Sequence, residues 1–147
     1  MNQENYTEAM INAEAAFSNE NYALALEWFR KALEENPDDL QALSRAGTVC
    51  VPLDKYDESF EYFKRAMELN PENGDNAFNL GNAYFFHGDY GKALELYAEA
   101  EMKVFNTILK AGLIDSSSFK NPKSKKDCSL DTPIIVYMDN DFVYYYY

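Results

Sequence analysis

Up to about Leu113, apolar residues recur along the chain at helical spacing. In the stretches Tyr22 to Glu35, Tyr56 to Leu69 and Tyr90 to Lys103 they fall on one face, as with Tyr56, Phe60, Phe63 and Met67, which predicts amphipathic helices with one buried stripe. A second helical stretch precedes each of these. The connections NEN (Asn19 to Asn21), LDK (Leu53 to Lys55) and HGD (His87 to Asp89) are short enough to leave only a tight turn, so the two helices of each pair run antiparallel. Between pairs, NPDD (Asn36 to Asp39) and NPENGD (Asn70 to Asp75) place a Pro and then acidic residues where one helix stops and the next starts.

The pairs repeat. At an offset of 34 residues, Tyr22, Tyr56 and Tyr90 coincide, as do Ala32, Ala66 and Ala100, and Phe29, Phe63 and Tyr97. So do Ala25, Ser59 and Ala93, then Ala13, Gly47 and Gly81, and Pro37 with Pro71. Small residues recur where two helices must approach closely, and large aromatics where a gap needs filling. The columns therefore predict stacked helix pairs in which Ala13, Gly47 and Gly81 face Ala25, Ser59 and Ala93.

These columns resemble the tetratricopeptide repeat. The third unit reads Ala77, Leu80, Gly81, Tyr84, Ala93 and Tyr97; the second Leu43, Ala46, Gly47, Cys50, Ser59, Phe63 and Pro71; the first, looser, Ala9, Asn12, Ala13, Ala16, Ala25, Phe29 and Pro37. The resemblance covers residues 6 to 104 and implies an all-α fold, a right-handed α-α superhelix of three helix-turn-helix repeats (6 to 39, 40 to 73, 74 to 107). The array is expected over residues 4 to 113, and two departures mark it. Pro52 should shorten or kink the last turn of a first helix, and Phe105 stands where a Pro would close the third unit. Without that stop the last helix runs on to about residue 111, with Gly112 as its terminator, as an extension or cap over the array's end.

In this family the first helices line the concave side, and the resemblance implies that their exposed faces carry ligand contacts. Here those faces hold Thr7, Met10, Glu14 and Phe17; Gln41, Ser44, Thr48 and Val51; and Asp75, Phe78, Asn82, Phe85 and Phe86. The implied groove is aromatic at its C-terminal end, with Phe78, Asn82, Phe85 and Phe86 as anchors, and Glu14 and Asp75 favour a basic or neutral ligand. One branch of the family clamps the C-terminal carboxylate of chaperones with Lys, Arg and Asn. The matching places hold Met10, Glu14, Arg45, Asp75 and Asn79, a single basic residue among two carboxylates, so that binding is not expected.

Charge narrows the partners. The formal net charge is −12, and residues 1 to 113 carry 20 Asp/Glu against 9 Lys/Arg, which opposes nucleic-acid phosphates and anionic lipid. No apolar run is long enough to span a bilayer and the first residues lack a signal-peptide pattern, so a cytoplasmic location is expected. Cys50 and Cys128 are too few for a disulfide framework and read as thiols.

Beyond Ile114 the composition shifts. SSSFKNPKSKKD, with Lys120, Lys123, Lys125 and Lys126, reads as a solvated linker. The runs Ile134 to Met138 and Phe142 to Tyr147 around Asp139-Asn140-Asp141 signal a hairpin, marginal in water on its own; residues 114 to 147 are thus a linker and aromatic tail, disordered or a weak hairpin.

Catalytic chemistry finds little purchase. His87, the single histidine, sits in a tight turn before Gly88, and three Cys and His residues scattered along the chain do not make a zinc site. The Gly residues occupy packing and turn positions rather than a phosphate loop. No enzyme activity, cofactor or metal is expected. The reading is an adaptor that holds a peptide or helix of a partner protein in its groove. The alternatives are a scaffold that self-assembles through its tail or array end, giving a homo-oligomer, and a secretion-type chaperone.

Overall fold

The computed structural model describes residues 1–111, 135–139 and 142–146, the last two segments by their backbone alone. The linker expected after Ile114, the terminator Gly112 and Cys128 lie outside the described residues. Six helices run in sequence: α1 (Gln3–Ser18), α2 (Tyr22–Glu35), α3 (Leu40–Cys50), α4 (Tyr56–Leu69), α5 (Gly74–His87) and α6 (Tyr90–Lys110). These six helices form an all-α solenoid of three helix pairs.

The helix starts follow from capping. The side chains of Asn2, Asn21, Asp39 and Asn73 accept hydrogen bonds from backbone N–H groups of the first turns of α1, α2, α3 and α5, groups that have no partner within the helix. Lys55, at the start of α4, makes no such bond. The three intra-repeat turns share one geometry. The N–H groups of Asn21, Lys55 and Asp89 each donate at 2.9 Å to the carbonyls of Ala16, Cys50 and Tyr84. Between donor and helix, the chain turns through a left-handed residue: Glu20 (φ 58), Asp54 (φ 57) and Gly88 (φ 95). Such a residue lets the last carbonyls of a helix be satisfied as the chain reverses. α3, with Pro52 just beyond it, is the shortest helix at 11 residues.

Close approach within a pair rests on the small column. Gly47 lies against the ring of Phe63, and the Ser59 hydroxyl donates to the Gly47 carbonyl at 2.8 Å. Gly81 lies in the same way against Tyr97 and the Ala93 backbone. Phe29 and Phe63 are fully buried, with Leu26, Val49 and Cys50; each such side chain contributes about 1.5–3 kcal/mol by leaving water. Successive pairs are joined by side chains that reach the next first helix, with Phe60 stacked on Tyr84 at 4.1 Å between centroids. On the second helices, Arg30 of α2 makes a two-pronged ion pair with Glu58 of α4, and Tyr62 donates to the same carboxylate at 3.0 Å. Burial, together with the bond to Glu58, pushes the Tyr62 hydroxyl up to about 12.

The chain divides into two units, Met1–Ala100 and Glu101–Tyr147. The second contains the end of α6 and an antiparallel pair of strands, β1 (Ile135–Asp139) and β2 (Phe142–Tyr146), in register Ile135 with Tyr146 through Asp139 with Phe142. No helix among the described residues is long and apolar enough to cross a membrane.

Candidate functional site

A cleft of about 510 Å³ opens on the first unit. The first helices supply Phe17 from α1, Thr48 from α3, and Asn79, Asn82 and Phe86 from α5. The rest of its wall comes from the intra-repeat turns and second helices: Val51, Pro52 and Asp54 after α3, Tyr22 from α2, and Tyr56 and Phe63 from α4. A volume in the range of about 300–1,000 Å³ with mostly apolar walls and a few polar groups is typical of ligand sites.

The polar groups are already oriented. Tyr97 donates its hydroxyl proton to Asn82 Oδ1 at 2.8 Å, and Thr48 donates to the Ser44 carbonyl at 2.8 Å. Tyr56 donates to Asp54 Oδ1 at 3.2 Å, and burial with that bond raises the Tyr56 hydroxyl above its ordinary value. Among the described residues Asp54 is the one carboxylate in the wall, and no Lys or Arg lines it.

The expected groove residues divide. Phe17, Thr48, Asn79, Asn82 and Phe86 meet in the cleft, Phe86 with 63% of its surface exposed. Met10 is half-buried and packs against the core of the first two helix pairs. Glu14 and Arg45 meet each other, at 3.1 Å, and Gln41 also donates to Glu14. The Arg45 guanidinium lies 4.8 Å over the Phe17 ring. Asp75 is exposed at the start of α5, its N–H held by Asn73. Phe78 rests against Tyr97, and Phe85 against Phe86 and Tyr90; Phe78 and Phe85 lie outside the cleft wall and are about half exposed. Tyr22, Pro52, Asp54, Tyr56 and Phe63 were not anticipated as cleft residues. Tyr22 and Tyr56 stood out in the 34-residue columns, but as packing positions.

The groups with catalytic potential are otherwise engaged. The His87 ring packs against Tyr56 and Phe60 at 5.1 and 5.7 Å. Cys50 is a buried thiol pushed up to about 12 by burial, which keeps it protonated and unreactive near neutral pH. Among the described residues no group of three or more His, Cys, Asp or Glu could hold a metal ion.

The tetratricopeptide repeat family matches residues 38–101, and the family described as anaphase-promoting complex, cyclosome, subunit 3 matches residues 1–66. The array belongs to the tetratricopeptide-repeat family. Solved structures share its fold. The tetratricopeptide-repeat array aligns with MamA MSR-1 at 24% identity and a TM-score of 0.67, over 72% of this chain and 61% of that one. A second MamA structure, AMB-1, aligns at 25% identity and 0.61, over 67% and 58%. The yeast Sti1 TPR2B domain, solved in complex with pHsp70, aligns at 18% identity and 0.65, over 76% of this chain and 90% of that domain. This chain thus spans about three fifths of the length of the MamA chains it matches. No curated protein matches the sequence.

Proposed function

We propose that the tetratricopeptide-repeat array is a protein-interaction module that holds a peptide or helix of a partner in its cleft. The observation that carries this reading is that one cleft draws wall residues from all three repeats: Phe17, then Thr48, then Asn79, Asn82 and Phe86. A continuous surface of that kind suits an extended guest rather than a small metabolite. Exposed aromatic area supports it as well, since Phe86 leaves most of its ring in water until something covers it. The Sti1 domain that shares the fold was solved in complex with pHsp70. Here a carboxylate terminus would find Arg45 already paired with Glu14, so a chaperone tail is not the guest. The role is adaptor rather than enzyme, in a reducing cytoplasmic compartment.

The test is affinity capture with the full chain and the Phe17→Ala/Phe86→Ala variant. Partners are expected to be retained by the first and lost by the second at unchanged helical circular dichroism. Equal capture by both would end the reading.

Self-association through the array end has one observation in its favour. Leu26 and Phe60 are 2% and 8% exposed where the next helix covers them, whereas Leu94, at the same place in the third repeat, is 68% exposed. Sedimentation of Leu94→Lys beside the native chain decides it: a dimer that becomes a monomer supports this route, and an unchanged mass removes it.

A further inference from the structure

We infer that the cleft selects its guest by a basic side chain, Lys or Arg, set beside an apolar residue of the partner segment. This rests on reading the cleft as a peptide site. Among the described residues its walls carry the aromatic rings of Phe17, Tyr22, Tyr56 and Phe86 with a single carboxylate, Asp54, and no cation. Ring faces are electronegative and attract an ammonium or guanidinium, more strongly where water is excluded. The structure already contains one such contact at the cleft's edge, the Arg45 guanidinium over Phe17, whose charge Glu14 answers. Among the described residues no ion pair answers Asp54.

Asp54 is held where it can act. The Lys55 N–H, bonded to the Cys50 carbonyl, fixes the turn, and the Tyr56 hydroxyl occupies one acceptor site on Oδ1. An ionised carboxylate offers about four such sites, so others remain for a ligand N–H. Glu20 and Gly88 hold the same left-handed place in the other two turns, yet neither lines the cleft. Of the two acids expected to favour a basic ligand, Glu14 is consumed by Arg45 and Gln41, and Asp75 is exposed outside the cleft wall. Selection by charge therefore falls to Asp54. The neighbouring Lys55 is exposed and is absent from the wall. The acidic balance of the array, 20 carboxylates to 9 basic residues over residues 1 to 113, draws cationic segments toward this surface.

The experiment uses the full chain and fluorescence anisotropy with three end-capped, labelled probe peptides. They share an apolar sequence around one central residue: lysine, arginine or the neutral Nε-acetyl-lysine. The lysine and arginine peptides are expected to bind about tenfold more tightly than the acetylated one, with the gap narrowing as salt rises. Asp54→Asn, which keeps a residue tolerant of left-handed backbone, should bring the three within about twofold of one another. Its circular dichroism and melting temperature should stay native. Equal binding of all three to the native chain, weakened alike by Phe86→Ala, would leave the cleft a peptide site and overturn the charge selection. Discrimination that survives Asp54→Asn, or no binding of the lysine peptide at about 1 mM, would overturn it too.

Discussion

Gly47→Ala adds one methyl group at the tightest point of the second helix pair. The new Cβ would lie 2.8, 2.8 and 2.9 Å from Cε1, Cζ and Cε2 of Phe63, well inside contact distance. That ring is 1% exposed and has nowhere to retreat. Replacing Gly by Ala inside a helix is worth about 1 kcal/mol in the helix's favour, while forcing a methyl into a packed core costs about 1–3 kcal/mol. With a buried ring as the obstacle the cost lies near the upper end, and the net is a loss of about 1–2 kcal/mol. The midpoint of thermal unfolding should fall by about 4–8 °C. Gly91→Ala is the control, because a Cβ there meets nothing nearer than Asp89 Oδ1 at 4.0 Å, and it should be neutral or gain up to about 1 kcal/mol. Urea unfolding followed by circular dichroism measures both. Phe63→Leu should relieve the clash, so the double variant should be more stable than the two single effects sum to, by about 1 kcal/mol. If Gly47→Ala gains as much as Gly91→Ala, the small column is not a contact and the packing argument fails.

Three further outcomes follow from the turns and ion pairs. Lys55→Asn supplies the missing cap of α4 and should add about 1 kcal/mol in urea melts; no gain would mean that the turn already satisfies those N–H groups. Gly88→Ala meets no atom within 4 Å, so its loss, about 1 kcal/mol by the same assay, isolates the cost of left-handed backbone. Glu58 is pushed up by burial, but its bonds to Arg30 and Tyr62 outweigh this and leave it below the ordinary 4.5. A carboxyl lowered in the folded state stabilises fully above that ordinary value and loses its contribution as pH falls through the folded value. Glu58→Gln should therefore cost up to about 1 kcal/mol near neutral pH, a difference that closes in acid; a gap independent of pH would contradict the assignment.

Much of the architecture was legible because it depends on side-chain size at fixed intervals. Gly47 and Gly81 face Ser59 and Ala93 as their columns imply, and each also meets the ring 16 residues further on, Phe63 or Tyr97. Pro52 and Phe105 marked the short α3 and the long α6 for reasons of backbone chemistry alone. The site was read less completely. Periodicity says which face a residue occupies, not which side chain it grasps, so the pairing of Glu14 with Arg45, 31 residues apart, left no trace in either column. Phe78 and Phe85 share the expected helix with Phe86 but turn elsewhere, since a helix rotates neighbouring positions by a large angle. The left-handed column of Glu20, Asp54 and Gly88 was hidden because only one of its members is the glycine that usually announces such a place.

The middle turn gathers three weaknesses at one joint: a left-handed residue with a side chain, an uncapped helix start and the shortest helix behind it. Six of the cleft's eleven described wall residues, from Thr48 to Phe63, belong to the repeat built around that joint. In an array where each repeat leans only on its neighbours, amide exchange should therefore be fast at this joint beside the cleft, and a guest seated there would act as a splint, tightening the array from its centre.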